Sequence, residues 1–588
     1  MGMKAIEFKV LQELLAESAP TQRELAEAVG VSLGAVNKAL GALRDGGLVS
    51  GMTVTEEGRA ALEPYRVDNA IIMAAGLSSR FAPISYERPK GVLKVRGEVL
   101  IERQIRQLQE AGIGDITVVV GYKKEEFFYL EDKMGVRVVV NDEYASRNNN
   151  STLRKVQDRL GNTYICSSDD YFTENPFEPF VYAGYYASEF AEGETEEYCM
   201  EVQGRDRRIV EVRRSGNRDA WTMLGHVYWD RAFSQAFVAL LDRIYDDPET
   251  APKLWEDIYA EHIGELPPLV LRPYDKGIIW EFDSLDELRE FDPDFIDNVD
   301  SSIMDNICDV LGCAKGAIRS IAPIKQGLTN LSFRFDVDGK TYVYRHPGAG
   351  TDEIINRESE TFSQDVARRL GIDDTFIHED AVEGWKISAF IDGCEPFDYH
   401  NDDHLRRSME IARRLHGCGE ASPWDFDVYQ KAVEIVAMLK TRPFEDFDEL
   451  AAMAAELYED VCADGVEPCL CHNDFYEPNF LVRGDEMHLI DWEYSAMSDY
   501  ASDLGTFVCC SDYDIDDALR AFRFYFGREP TPEEARHCLA YVGISAYYWF
   551  VWALYKDDSG EPVGEWLYLW YRAAKKFGRV AVDLYRAA

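Results

Sequence analysis

The most constraining feature of this chain is the stretch CHNDFYEPNFLVRGDEMHLIDWEYS, which begins at Cys471. Four residues separate Asp474 from Asn479, and Asp491 follows twelve residues after Asn479. Phosphoryl transfer from ATP requires a carboxylate that takes the acceptor hydroxyl's proton, and oxygen ligands that hold Mg²⁺ near the transferring phosphate. The spacing matches a kinase catalytic loop followed by a magnesium-binding aspartate. We therefore expect Asp474 to be the catalytic base, with Asn479 and Asp491 as magnesium ligands.

Length and composition bound the rest of the chain. Its 588 residues predict three or four domains, and a hydrophobic content of 46% is sufficient for several cores. The formal net charge of −45 opposes binding to nucleic acid or anionic membranes, because both favour basic patches. The first residues lack a secretory signal, and the apolar stretch at 547–555 is far shorter than the ~20 residues of a spanning helix. We expect a cytoplasmic protein without membrane insertion.

The twelve cysteines show neither a metal-binding nor a disulfide spacing. Cys469 with Cys471, and Cys509 with Cys510, have no matching partner set. We expect most cysteines to be small buried hydrophobic residues in a reducing compartment. The histidines also lack a metal-binding spacing and are expected to be structural, among them His226, His262 and His416.

The pattern of residues 1–66 predicts a small winged helix-turn-helix. Its signals are an amphipathic stretch over Lys4–Ala16, a capping box of Thr21 with Glu24, a cap at Ser32 for a third helix to about Arg44, and a Gly46-Gly47 turn before a short β-wing. Such modules commonly bind DNA. Residues 1–65 carry six Lys/Arg against nine Asp/Glu, however, whereas a DNA-reading module should be locally basic. DNA is therefore a possible but disfavoured partner, and a protein-contact or vestigial role stays open.

Residues 67–298 alternate apolar strands with helical stretches, which predicts a mostly parallel sheet in an α/β layer fold. The strand candidates are NAIIMAAG at 69–76, ITVVVGY at 116–122, VRVVVN at 136–141 and NTYICSS at 162–168. The first strand runs into the turn LSSRF, and RPKG follows at 88–91. Gly76, after Ala75, allows backbone amides to approach phosphate oxygens, and Arg80 and Lys90 can neutralise a triphosphate. We expect a nucleoside triphosphate site here, with Arg80 and Lys90 in catalytic roles.

These residues resemble the sugar-nucleotide-type nucleotidyltransferases, and among them the bacterial CTP:phosphocholine cytidylyltransferases. The likeness spans roughly 70–295 and includes GYKKEEFFYLEDK, NDEYASRNNN, YICSSDDYF and IIWEFDSLDELR. It implies a Rossmann-like nucleotidyltransferase domain in which Asp169 and Asp283 hold the Mg²⁺ that bridges CTP and phosphocholine. The family has Asp-Asn where this chain has Asp169-Asp170, and Asp169 is the expected ligand. The reaction implied is in-line attack of a phosphomonoester oxygen on the α-phosphate, which requires positioning and charge neutralisation.

A trimethylammonium group has no hydrogen-bond donor and is usually held by aromatic rings. The middle segment offers Tyr198, Trp221, Tyr228, Trp255 and Trp280, with Glu256 and Asp257 as sources of negative potential. The resemblance places Tyr198 and Trp255 near the phosphocholine pocket. Taken alone, an aromatic residue of this kind is more often part of a core than of such a pocket.

Residues 299–588 begin with a short helix and a hairpin-like stretch, continue with a charged helix over Asn356–Leu370, and are then mainly helical. A small β-rich lobe followed by a helical lobe is the two-lobed arrangement of protein kinases. The candidate nucleotide-binding residues are Gly327, Thr329 and Asn330 in a phosphate-covering turn, Arg345 where kinases usually carry a strand lysine, and Glu358 as its partner.

Residues 305–580 resemble the bacterial choline kinases of the aminoglycoside-phosphotransferase-like superfamily, in which arginine at the strand position is acceptable. The resemblance gives Asp474 the role of base and gives Mg²⁺ to Asn479 and Asp491. It also implies a choline pocket made largely of C-terminal aromatic residues, with Trp549, Trp552 and Tyr571 or one of its neighbours as candidates. An aromatic stripe at this spacing is also typical of a helical core.

The two resemblances together predict a bifunctional enzyme that uses ATP, CTP and Mg²⁺. The C-terminal segment would phosphorylate choline, and the middle segment would convert phosphocholine and CTP to CDP-choline and pyrophosphate. One alternative keeps both reactions but uses ethanolamine or an aminophosphonate. The other is a winged-helix transcription regulator whose enzyme-like domains sense metabolites. The four aspartates at 169, 283, 474 and 491 favour the enzyme, because a sensor could lose them.

Overall fold

The computed structural model describes residues 3–16, 21–78, 81–282, 284–324, 330–347, 356–558 and 563–588, with Asn330 described at its backbone only. The chain forms two compact units, Met1–Asp309 with Ala314–Gly316, and Val310–Cys313 with Ala317–Ala588. The division lies beyond the boundary predicted at residue 298. The reason is local, since the hydroxyl and backbone amide of Ser302 both donate to the Glu87 carboxylate and hold this segment to the first unit.

Three helices and a two-stranded wing open the first unit. The elements are α1 (Ala5–Ala16), α2 (Gln22–Val29), α3 (Leu33–Asp45), β1 (Val49–Ser50), β2 (Thr53–Val54) and α4 (Glu56–Leu62). Thr21 and Glu24 form the predicted capping box on α2, and the Ser32 side chain caps α3. The apolar faces of these elements share one core, to which Phe180 of the following segment contributes a buried ring.

A nine-stranded sheet follows, in the order β10-β14-β12-β11-β13-β8-β3-β6-β7. The strands of this segment are β3 (Asn69–Ala74), β4 (Lys94–Val95), β5 (Glu98–Val99), β6 (Ile116–Val120), β7 (Arg137–Val140), β8 (Thr163–Ser167), β9 (Asp170–Phe172), β10 (Tyr185–Thr195), β11 (Cys199–Gln203), β12 (Arg208–Arg213), β13 (Asn217–Trp229), β14 (Val270–Pro273) and β15 (Ile279–Glu281). The four predicted strands are β3, β6, β7 and β8, and they pair in parallel. The strands beyond β8 pair mainly in antiparallel orientation. The longest of these pairs joins β10 to β13, and β13 in turn pairs with β8.

Helices cover both faces of the parallel strands. Helices α6 (Leu100–Glu110) and α7 (Tyr129–Met134) contribute to one core, and α8 (Asn150–Lys155), α9 (Arg231–Ile244) and α10 (Trp255–His262) to the other. The unit also has α5 (Ile84–Glu87), α11 (Leu285–Phe291), α12 (Phe295–Asn298) and α13 (Ser302–Leu311). Alternate side chains of a strand point to opposite faces. Ile72 and Val118 therefore join one core and Ile71 and Val119 the other, which leaves the carboxyl ends of the strands open for a site.

The second unit has a five-stranded antiparallel sheet, in the order β16-β17-β18-β20-β19, followed by a helical region. Its elements are β16 (Arg319–Pro323), β17 (Asn330–Val337), β18 (Lys340–Pro347), α14 (Arg357–Leu370), β19 (Phe376–Glu379), β20 (Lys386–Ala389), α15 (Asp402–His416), α16 (Val428–Met438), α17 (Phe447–Ala463), β21 (Cys469–Cys471), β22 (Phe480–Arg483), β23 (Glu486–Leu489), β24 (Ala496–Ser498), α18 (Tyr500–Cys509), α19 (Ile515–Phe526), α20 (Pro532–Asp558) and α21 (Trp566–Ala587). The side chain of Asn356 caps α14, which is the predicted charged helix.

Helix α20 is longer and more apolar than the stretch at 547–555 suggested. By length and composition it could cross a membrane, and it is the one described helix that meets this criterion. Of its most apolar window, 94% is buried within the fold, where it packs against the other helices of the second unit. This burial is typical of a central core helix.

Candidate active sites

The carboxyl ends of β3 and β8 border a cleft of about 190 Å³. Ligands of open α/β sheets bind at this edge, where strand ends and loops leave a crevice. The cleft brings together four residues predicted from the sequence, namely Ala75, Gly76, Lys90 and Asp169. Arg80 and Asp283, the other two residues expected here, lie outside the described part of the chain.

Lys90 and Asp169 form an ion pair in this cleft. The Lys90 Nζ lies 2.7 Å from Asp169 Oδ2, and the lysine is 7% exposed. Asp170 lies beneath them at 1% exposure, and neither of its carboxylate oxygens has a hydrogen-bond partner among the described residues. Burial, then the nearby Glu281 and Asp169, raise the pKa of Asp170 well above its usual range. These crowded carboxylates fit Mg²⁺, an oxygen-seeking cation, and Asp169 is the one that lines the cleft.

Gly76 and Gly121 differ in their surroundings, and the approach of backbone amides to phosphate oxygens at Gly76 stays a prediction. A Cβ atom on Gly76 would meet no described atom within 4 Å, so no described neighbour requires glycine there. At Gly121 a Cβ would lie 2.7 Å from the Tyr144 ring and 2.8 Å from the Ala75 carbonyl oxygen. Gly121 therefore allows Tyr144, which lines the cleft, to pack against the strand end.

A second pocket of about 420 Å³ shares Met73 and Ser167 with the cleft. Its lining includes Tyr186, Tyr198, Trp255, Glu196, Glu197, Glu256 and Glu281. The predicted Tyr198 and Trp255 are thus present. Trp221, Tyr228 and Trp280 do not line the described pocket, because their rings pack against Phe190, Tyr164 and Phe291 respectively.

Tyr186 lines this second pocket and Asn149 bonds to two of its residues, and neither was singled out from the sequence. The Tyr186 ring stacks on Trp255 with centroids 5.8 Å apart. The Asn149 amide nitrogen lies 3.1 Å from Glu256, and its oxygen accepts the backbone N–H of Trp255 at 2.7 Å. Because Asn149 also lines the cleft, it links the two pockets. Burial raises the pKa of Glu256 to about 7, although the hydrogen bond from Asn149 opposes this shift.

In the second unit, the loop after β21 holds Asp474 and Asn479 together. The Asn479 amide nitrogen donates to both the backbone oxygen and the Oδ2 of Asp474, each at 2.8 Å. Because the amide nitrogen of Asn479 makes these two hydrogen bonds, the amide oxygen is the side-chain atom that can bind a cation. Asp491 has a left-handed backbone with φ of 71°, a conformation that is uncommon outside glycine and concentrates at functional sites. Asn479 and Asp491 therefore fit the predicted magnesium ligands.

A buried carboxylate holds the backbone of the loop that carries Asp474. Asp503 of α18 accepts the backbone N–H groups of His472 and Asn473 at 2.9 and 2.6 Å. Burial, then Asp491, raise the pKa of Asp474 well above its usual range, whereas the bond from Asn479 lowers it. A carboxylate with a raised pKa is a better proton acceptor near neutral pH.

Arg345 pairs with Glu360 and not with Glu358. Its Nη2 lies 2.7 Å from Glu360 Oε1, and its Nη1 donates to Asp491 Oδ1 at 3.2 Å. Glu358 is exposed on α14. Two residues along an α-helix are about 200° apart, so only one of the two glutamates can face the sheet. Arg345 thus connects helix α14 to Asp491, the predicted magnesium ligand.

The other expected nucleotide-binding residues of this unit are only partly described. Gly327 and Thr329 lie outside the described residues. Asn330 begins β17 and pairs through its backbone with Pro347.

Two of the three predicted C-terminal aromatic residues lie in one cluster. Trp549 contacts Trp552 and stacks on Trp570, both with centroids 5.6 Å away, and Trp566 stacks on Trp570 in turn. Trp566 contacts the ring of Tyr476, two residues after Asp474, and Trp549 contacts the ring of Tyr494. The cluster therefore lies beside the loop that carries Asp474, the predicted catalytic base.

Tyr571 does not belong to this cluster. Its hydroxyl donates to Asp446, at 2.9 and 3.0 Å from the two carboxylate oxygens. Its ring packs on Phe444 and Phe550. One residue along α21 turns the side chain by about 100°, so Trp570 faces the cluster and Tyr571 does not.

Three family models match the chain in succession. They are the winged helix-turn-helix DNA-binding model at residues 3–50, the MobA-like NTP transferase domain at 70–168 and the phosphotransferase enzyme family at 320–538. The choline-phosphate cytidylyltransferase of Streptococcus pneumoniae is 34% identical over 223 residues, which is 38% of this chain and 96% of that protein. The chain belongs to this cytidylyltransferase family.

A second relative of this chain is named for a different substrate. The 2-aminoethylphosphonate cytidylyltransferase of Lancefieldella rimae is 34% identical over 232 residues, which is 39% of this chain and 93% of that protein. The crystal structure of choline kinase LicA from Streptococcus pneumoniae is 21% identical, covers 47% of this chain and 98% of its own, and has a TM-score of 0.42.

The family models confirm the predicted fold classes. This cytidylyltransferase carries a winged helix, a Rossmann-like nucleotidyltransferase domain and a phosphotransferase domain of kinase-like fold. It is an enzyme with both nucleotidyltransferase and kinase segments on one chain.

Proposed function

We propose that this protein makes CDP-choline from choline in two steps. The second unit would transfer the γ-phosphoryl group of ATP to choline. The nucleotidyltransferase domain would then join phosphocholine to the CMP part of CTP and release pyrophosphate. The observation that carries this proposal is the hydrogen bond between Asn479 and Asp474. The same chain also has a nucleotide cleft, and the pocket next to this cleft is lined by aromatic and acidic residues.

In the kinase step, Asp474 would accept the proton of the choline hydroxyl as the oxygen attacks the γ-phosphorus. The bond from Asn479 orients this carboxylate, and Arg345 holds Asp491 in position. Mg²⁺ held by Asn479 and Asp491 would neutralise the charge that develops on the phosphate oxygens. The aromatic cluster around Trp549 would bind the trimethylammonium group, which rings attract through their negative faces.

In the nucleotidyl step, a phosphocholine oxygen would attack the α-phosphorus of CTP. Lys90 would stabilise the negative charge of the reacting phosphates, and Asp169 positions its ammonium group at 2.7 Å. Asp169 would also hold Mg²⁺, which neutralises the triphosphate. Tyr186, Tyr198 and Trp255 would surround the quaternary amine, and Glu256 would supply negative potential.

The chemistry of a kinase favours a phosphate ester over a phosphonate as the second substrate. A kinase forms an oxygen–phosphorus bond, whereas 2-aminoethylphosphonate has a carbon–phosphorus bond that phosphorylation of an alcohol cannot produce. Ethanolamine remains the alternative amino alcohol. Aromatic rings favour the quaternary amine, while a primary amine would use the pocket glutamates as hydrogen-bond acceptors.

We further propose that the winged helix is a packing module of the first unit. Phe180 is 6% exposed within its core, and the Tyr182 hydroxyl donates to the Met3 oxygen at 2.9 Å. Arg44 of α3 is engaged with the Gly51 oxygen. The alternative is a DNA-binding regulator. A gel-shift experiment at low salt tests it, because tight and sequence-selective binding would contradict the packing role.

Substrate competition tests the proposed specificity. Purified protein would receive equal choline and ethanolamine with ATP, CTP and Mg²⁺, and the two CDP-alcohols would be measured by mass spectrometry. We expect CDP-choline to dominate. Predominant CDP-ethanolamine, or turnover of 2-aminoethylphosphonate in preference to phosphocholine, would contradict the proposal.

A further inference from the structure

Three residues that the sequence analysis treated separately lie close together, next to the loop that carries Asp474. His416 is the last residue of α15, and Cys469 and Cys471 are the two ends of β21. Their nitrogen and sulfur donor atoms lie within 4.8 Å of one another. The expectation of a purely structural histidine and isolated thiols rested on spacing along the chain, which does not reveal a cluster formed by tertiary packing.

The two thiols are at the separation that one tetrahedral metal ion requires. Their Sγ atoms are 3.7 Å apart. A zinc–sulfur bond of about 2.3 Å and a tetrahedral angle place two thiolate ligands about 3.8 Å apart. A disulfide would require a separation of about 2.05 Å, so the observed spacing matches metal ligation and not a covalent bridge.

His416 has the support that ligating histidines usually have. Its Nε2 faces the Asp503 carboxylate at 2.9 Å, and its Nδ1 faces the Tyr525 hydroxyl at 2.9 Å. A metal-bound histidine typically gives its second ring nitrogen to a carboxylate. Asp503 occupies that role at Nε2, which leaves Nδ1 for an ion after exchange with the hydroxyl.

We propose that His416, Cys469 and Cys471 bind one zinc-class metal ion. Two sulfur donors and one imidazole select a thiophilic ion, unlike the oxygen donors of the proposed magnesium sites. Cys471 directly precedes His472, and Asp503 holds both His416 and the backbone of the catalytic loop. The ion would therefore join α15 to β21 and fix the strand that leads into Asp474. This site stands independently of the proposed substrates.

Cobalt titration of the reduced, metal-free full chain tests the site. Co²⁺ bound by thiolates gives a charge-transfer band in the near ultraviolet, which oxygen-bound Co²⁺ at a magnesium site does not give. We expect this band to saturate at one equivalent, to disappear on addition of Zn²⁺, and to be lost in Cys469→Ser and Cys471→Ser. Cys394→Ser, in the same unit but outside the cluster, is the matched control and should retain it. Absence of the band, or its persistence in both cluster variants, would overturn the proposal.

Alkylation of the unmutated protein provides a test that does not depend on the folding of variants. The chain would be treated with iodoacetamide with and without Zn²⁺, and each cysteine peptide would be quantified by mass spectrometry. Zn²⁺ should protect the partly exposed Cys469 and leave the exposed Cys462 unprotected, whereas the fully buried Cys471 should stay unmodified in both samples. Equal modification of Cys469 with and without Zn²⁺ would overturn the proposal.

Discussion

Arg345 on β18 and Glu360 on α14 form a buried ion pair, with Nη2 and Oε1 2.7 Å apart. Lys386 and Arg357 also bond to Glu360, at 3.1 and 3.0 Å. Although burial raises it, the pKa of Glu360 is held well below its usual range by Arg345, Lys386 and Arg357. Glu360 is therefore the carboxylate that contacts all three cations between the sheet and the first helix of this unit, while Arg345 also lies within 4 Å of Asp491, Glu379 and Glu493.

Glu360→Gln should destabilise the second unit by about 3 kcal/mol, because it removes the buried carboxylate that contacts Arg345, Arg357 and Lys386 together. It should also lower kinase activity, since Arg345 would no longer be held beside Asp491. Urea unfolding and an ADP-release assay measure the two effects. Glu358→Gln is the matched control and should stay within about 0.5 kcal/mol of the parent. Equal losses in both variants would show that Glu360 has no special role.

Lys90→Met should lower kcat for pyrophosphate release from CTP and phosphocholine by roughly 10²–10³, the usual cost of removing a group that stabilises reacting charge. The kinase reaction of the same protein serves as the internal control and should be unchanged. A variant with normal nucleotidyl transfer would rule out a catalytic contribution from Lys90.

The affinity of the second pocket for phosphocholine should rise as pH increases through about 7. Glu256, whose pKa is raised to about 7, is neutral below this pH and carries a negative charge above it, where it attracts the quaternary amine. KM for phosphocholine measured at a series of pH values tests this. Glu256→Gln should remove the part of the pH dependence that exceeds the titration of phosphocholine itself. Identical KM profiles for the two proteins would contradict the assignment.

Trp549→Leu should raise KM for choline about 30-fold, which corresponds to a cation–π contribution of about 2 kcal/mol. Tyr571→Phe should leave KM unchanged, because its hydroxyl serves Asp446 and its ring faces away from the cluster. Choline-dependent ADP release measures both variants. A larger increase in KM for choline in Tyr571→Phe than in Trp549→Leu would show that Tyr571, and not Trp549, belongs to the choline pocket.

Local signals explain which features could be predicted from the sequence. The catalytic loop, the helix caps and the four parallel strands depend on short spacings, and all appear at the expected residues. Glu360 left no such signal, because Ser363 and Gln364 on the same helix face are polar and the sequence does not show that they are buried.

Other features depend on tertiary packing and leave no local signal. The stacking of Tyr186 on Trp255 joins β10 to α10, and the choice of Trp570 over Tyr571 depends on the rotation of α21 about its axis. The antiparallel half of the sheet is also undetermined by local patterns, since alternating strands fit several pairings. The expected roles of the site residues came from the resemblance to known families. Which aromatic rings share a pocket depends on the packing of the folded chain.

The central claim is that one chain performs both reactions, and product formation from choline tests it most directly. Purified protein incubated with choline, ATP, CTP and Mg²⁺ should produce CDP-choline, detected by mass spectrometry. Asp474→Asn should abolish this product, with a loss of at least about 10²-fold, yet should still convert added phosphocholine. Asp169→Asn should stop at phosphocholine. Production of CDP-choline from choline by Asp474→Asn at the parent rate, or no CDP-choline from the parent protein, would contradict the account.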